Sequence, residues 1–87
     1  MIRETKYAKV LAEAVIDYAE GHQAKAERLF IKEEGTEELR FSWWYQGRFM
    51  VRPLDMEESI WLELFREAIK EGVFTKEFMD NLKSILP

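Results

Sequence analysis

Apolar positions change their spacing twice along the chain. From residue 4 to 20 they recur at three- and four-residue intervals, with Tyr7, Val10, Leu11, Ala14, Val15 and Tyr18 forming one stripe. Lys6, Lys9, Glu13, Asp17 and Glu20 fall on the other side. That spacing predicts an amphipathic helix over 4–20. Gly21 would close it in the left-handed conformation that glycine adopts cheaply.

The middle of the chain alternates instead. Leu29-Phe30-Ile31, followed by Lys32-Glu33-Glu34-Gly35-Thr36, predicts a strand over 27–33 that enters a turn. Residues 23–27 favour helix by propensity, so 23–33 is open to either helix or strand, and the turn signal decides for strand. Residues 38–45 and 48–53 predict a hairpin around Tyr45-Gln46-Gly47, a three-residue loop with a left-handed glycine. That register sorts Leu39, Phe41, Trp43, Phe49 and Val51 to one face. Arg40, Ser42, Trp44, Arg48, Met50 and Arg52 go to the other. Trp43 and Trp44 are neighbours, so a pleated strand sends them to opposite sides.

Pro53 cannot donate to a ladder and ends the strand. The helical spacing then returns. Asp55 as N-cap with Glu58 three residues on predicts a helix to about Glu71, with Gly72 beyond its end. Ile60, Trp61, Leu62, Leu64, Phe65, Ala68 and Ile69 cover more than half of its circumference, which calls for two packing neighbours. Thr75 is the expected N-cap of a last helix, with Phe74 and Met79 as a hydrophobic staple and Phe78, Leu82 and Ile85 facing inward. The expected fold is a single α+β domain over 1–87. An N-terminal helix leads to a three-stranded antiparallel β-meander, and a C-terminal helical hairpin packs on the sheet (α-β-β-β-α-α).

At 87 residues the core is small. The chain has no cysteine, so a disulfide framework or thiolate metal site is excluded. No apolar stretch near Met1 resembles a signal peptide or reaches the length of a membrane span, so a cytoplasmic location without membrane association is expected. The net charge of −4 disfavours binding to polyanions over the whole surface. Residues 39–54, however, carry Arg40, Arg48 and Arg52 and no acid, a basic island on an acidic body.

Catalytic chemistry is scarce. His22 is the only histidine, placed by this reading at a helix end as a surface or capping residue. Ser42, His22 and Asp17 form a triad on paper only, without a Gly-x-Ser-x-Gly turn. Glu33, Glu34, Glu37 and Glu38 flank Gly35-Thr36 without the spacing of a calcium loop, and read as a solvated turn. Ala68 to Leu82 has the outline of a helix-turn-helix, but Lys76, Lys83, Glu77 and Asp80 give its second helix no positive excess. No cofactor, metal or enzymatic activity is expected.

The mixed hairpin face is the candidate site: Arg40, Trp44, Arg48, Met50 and Arg52. Trp44 over Arg48 would make a cation–π pair, and Trp, Tyr and Arg are enriched at binding hot spots. Covered by the first helix, this face is ordinary core. Left open, it docks a protein partner or a second copy of the chain. Glu57, Glu63, Glu67 and Glu71, with Glu33, Glu34, Glu37 and Glu38, form a second, acidic surface able to imitate nucleic-acid charge. Small acidic domains of this kind are common among regulators and inhibitors carried by phages and other mobile elements, an analogy of size and charge. The alternative is a single-stranded nucleic-acid binder that stacks bases on the same aromatics.

Overall fold

The computed structural model describes residues 2–87. The described residues form an antiparallel sheet of five strands in sequence order, followed by two helices. The strands are β1 (Arg3–Glu4), β2 (Ala8–Ala19), β3 (His22–Ile31), β4 (Thr36–Tyr45) and β5 (Arg48–Met50), and the helices are α1 (Glu58–Lys70) and α2 (Lys76–Ile85).

The expected N-terminal helix is therefore replaced by strand, and the three-stranded meander by a five-stranded sheet. The segment 8–19 fits a period of two as well as one of 3.6. Ala12, Ala14, Ile16 and Tyr18 form one face, with Glu13, Val15 and Asp17 on the other. A register shift between Val10 and Ala12 breaks the alternation and hides it. The Ala, Leu and Glu propensities favour helix only weakly, and a ten-residue β3 partner overrides them. Gly21, expected at a helix end, lies at φ 74° in the turn between β2 and β3. Residues 23–27 belong to β3.

The hairpin loop also differs. Gln46 (φ 49°) and Gly47 (φ 80°) are both left-handed, so the turn has two residues, of the type that matches strand twist. Tyr45 pairs with Arg48, Trp44 with Phe49 and Trp43 with Met50. Phe49 thus shares a face with Trp44, whereas Arg48 and Met50 move to the face of Trp43. Val51 has left the ladder and is 92% exposed. The three-residue loop sorted the arginines better, but Arg48 on this short edge strand is exposed and suffers no burial penalty.

The two C-terminal helices match the expected spans more closely, but the inward stripe of the last one does not hold: Phe78 and Ile85 are exposed. Thr75 caps α2, its hydroxyl accepting the Phe78 amide at 3.1 Å, and Gly72 follows α1 at φ 75°. The start of α1 is corrected: its N-cap is Glu57, without a side-chain cap, and Asp55 lies exposed outside the helix. Leu54 and Met56 pack against the core, holding the segment before Glu58 out of the helix.

The core sits between α1 and one face of the sheet. Leu64 and Ala68 of α1 meet Ala14, Ala24 and Ala26, whose small side chains let the helix lie close. Phe41, Phe65 and Phe74 pack alongside, with ring centroids 5.4–6.5 Å apart. Arg28 ties the link after α1 to the sheet, its Nε donating to the Val73 carbonyl at 2.7 Å and its Nη1 to Glu37 at 3.1 Å.

The other face carries no helix, yet Val10, Glu27 and Leu29 on it are buried. The sheet buries them by curling into a half-barrel. Arg3 on the first strand reaches Glu27 on the third, and its guanidinium lies 5.9 Å from the ring of Trp44 on the fourth. None of the helices is long and apolar enough to cross a membrane.

Candidate functional site on the inner face of the sheet

The register places Glu13 of β2, Lys25 and Glu27 of β3, and Arg40, Ser42 and Trp44 of β4 on the helix-free face. Glu27 is its anchor, with no exposed surface. One carboxylate oxygen accepts from Arg3 Nη2 at 2.6 Å. The other accepts from Arg40 Nε at 3.0 Å and Nη2 at 2.9 Å. Arg3 also donates to Glu13 at 3.1 Å, and Lys25 stands 3.9 Å from the same carboxylate. A carboxylate this dry is tolerated only because charged donors surround it. In exchange it fixes two arginines at the open mouth of the half-barrel.

Trp44 lies half-buried beside this cluster. Its indole Nε1 donates to Ser42 Oγ at 2.9 Å. Lys25 Nζ sits 3.7 Å from the ring centroid, a cation–π contact, and Phe49 meets the ring edge-on at 5.6 Å. Lys25, with Arg3 farther off at 5.9 Å, takes the place over Trp44 expected for Arg48. A cavity of about 210 Å³ opens at the mouth between Arg3, Thr5 and Tyr7 on one side and Arg40, Trp44 and Phe49 on the other.

Trp43 points the opposite way. Its Nε1 donates to His22 Nδ1 at 3.1 Å, and the two rings stack at 5.7 Å. Tyr18 and Tyr45 complete this aromatic cluster, and burial pushes the Tyr18 hydroxyl above its usual pKa. His22 is thus a strand residue, not a helix cap. The sheet itself separates His22 from Ser42, and Asp17 accepts from Gln23 at 3.0 Å, so the paper triad is not assembled.

Of the expected partner-binding residues, Arg40 and Trp44 share the mouth cavity. Arg40, Met50 and Arg52 line a second groove of about 290 Å³ at the end of β5. Arg48 joins neither. The acids lie elsewhere: Glu33 and Glu34 in the β3–β4 turn, Glu37 and Glu38 at the start of β4, and Glu57, Glu63, Glu67 and Glu71 along or flanking α1. Among the described residues no three His, Asp or Glu side chains gather as a metal site. Near β1, Lys32 pairs with Glu4 and holds its carboxyl below the usual range.

Sequence reasoning missed Arg3, Tyr7, Lys25, Glu27 and Phe49. The signal was the alternation Ala24-Lys25-Ala26-Glu27, small residues under a helix and charges on the reverse, which helix propensity masked.

The fold and face together define a small half-barrel α+β domain whose helix-free face brings aromatic side chains and an ion-pair cluster together. Comparison with family models, curated proteins and solved structures gave no match to this chain.

Proposed function

We propose that the protein is a non-enzymatic interaction module, a small regulator or inhibitor that docks a protein partner on the helix-free face around Trp44. One observation carries this reading: the protein's own helices pack on the opposite face, leaving Trp44, Phe49 and Tyr7 at an open mouth. Half-buried indoles beside fixed arginines are the usual material of interface hot spots. Holding Arg3 and Arg40 on Glu27 before binding reduces the ordering that docking would otherwise require.

A protein partner fits better than single-stranded nucleic acid. Arg3, Lys25 and Arg40 are largely neutralised by Glu13 and Glu27, and the chain as a whole carries −4. Affinity capture from the native cell, with wild-type and Trp44→Ala baits, tests the reading. A protein recovered by the first and lost from the second is expected. Nucleic acid recovered in its place, or an identical set from both baits, refutes it.

A further inference from the structure

We infer that the outer edge of β4 receives an extended peptide of the partner, with an apolar–acidic–apolar pattern, as an added strand in line with β5. This rests on the reading of the protein as an interaction module and names how the partner is held.

β4 runs from Thr36 to Tyr45, but β5 covers only Trp43 to Tyr45. The pair that flanks a two-residue turn, Tyr45 and Arg48, exchanges main-chain hydrogen bonds. Alternation then directs the amides and carbonyls of Leu39 and Phe41 to the same side, away from β3. Among the described residues no main-chain bond outside the sheet takes them. The side chains of both residues pack against the core, which holds this stretch of edge extended and ready to pair.

The second open edge, β2 from Leu11 onward, is a poorer template. Register shifts interrupt it between Val10 and Ala12 and between Asp17 and Ala19, and bulges of this kind discourage strand addition. The pairing of β4 with β3 is unbroken over ten residues.

A groove lies where the new strand would run. It measures about 290 Å³ and is bounded by Arg40 and Phe41 of β4, Phe49 and Met50 of β5, and Arg52 and Leu54. The chain opens it by turning off the ladder at Val51 and Pro53. Arg40 and Arg52 are its only charged residues. Arg40 already bonds Glu27 through Nε and Nη2, whereas Arg52 is exposed and forms no ion pair among the described residues. Cross-strand neighbours prefer opposite charge, so an acid of the peptide belongs toward Arg52, with apolar residues beside Leu39 and Phe41. Main-chain bonds then hold the peptide and alternate side chains select it.

The test uses the full chain and a library of random seven-residue peptides displayed on phage. Selected peptides should share an acid between apolar residues. In NMR titrations they should shift the amides of Leu39 and Phe41 and slow their hydrogen exchange. Arg52→Glu, at an exposed position, should weaken binding about fivefold, and N-methylation of the peptide backbone should abolish it. Peptides that shift Trp44 and Tyr7 but leave Leu39 and Phe41 unmoved overturn the strand proposal and leave the interaction module standing. Failure to select any binder overturns both. Concentration-dependent dimerisation that protects the same amides assigns the edge to a second copy and overturns the peptide.

Discussion

Replacing Glu27 by glutamine tests the physical basis of the curled sheet. The substitution keeps the shape and removes the charge. Three charge-assisted hydrogen bonds, from Arg3 Nη2 and from Arg40 Nε and Nη2, lose their anionic acceptor. Breaking a buried ion pair by removing one partner typically costs about 3–5 kcal/mol. Here the side chains left behind, Arg3 and Arg40, are 36% and 29% exposed, so water solvates part of their charge. The amide retains one acceptor oxygen. We therefore expect a loss of about 2–3 kcal/mol. For a domain of this size that lowers the melting temperature by roughly 10–20 °C. Urea unfolding followed by tryptophan fluorescence measures it, with Arg3→Gln, Arg40→Gln and the pairwise combinations completing double-mutant cycles. The couplings should converge on Glu27. A Glu27→Gln protein within about 0.5 kcal/mol of the wild type, the spread of an ordinary surface change, would show that the ion cluster does not hold the half-barrel together.

Other consequences follow from the same geometry. Leu64→Ala should cost about 2–5 kcal/mol in urea unfolding, since the side chain is fully buried between α1 and the sheet alanines. Gly47→Ala places a Cβ in open space at φ 80°, so its cost is conformational alone, about 1–2 kcal/mol by the same assay. Thr75→Ala removes the cap of α2 and should lose about 1 kcal/mol, with faster hydrogen exchange at Phe78. Glu4 should titrate below an ordinary glutamate by carboxyl NMR, and Lys32→Gln should return it toward the usual value. Because the folded pKa is the lower one, this pair's contribution is present above the unfolded glutamate pKa and disappears as pH falls through the folded value.

The C-terminal third of the fold was legible because its signals are local. Thr75 bonds an amide three residues away and Gly72 takes a conformation open to it alone, whatever the sheet does. The N-terminal third was not, because its decisive partners are distant in sequence. Ala12 and Ala14 read as helix until Arg28 and Ala26 stand opposite them, and the shift between Val10 and Ala12 conceals the two-residue period. The same misreading hid half of the site. With Tyr7 assigned to a helix over 4–20 and Arg3 left just ahead of it, neither had a route to Trp44. Assigned to β1 and the turn after it, they form one rim of the open mouth of the half-barrel. The opposed directions of Trp43 and Trp44 needed only the pleat of a single strand, and so were visible without any knowledge of the curl.

The most direct measurement is photocrosslinking in the native cell with benzoylphenylalanine at position 44, and at position 43 as control. A docking face around Trp44 should give a covalent adduct with one protein from position 44 and none from position 43, whose native indole is held by His22 on the other side of the sheet. Equal adducts from both positions, or a nucleic-acid adduct at 44, would contradict it.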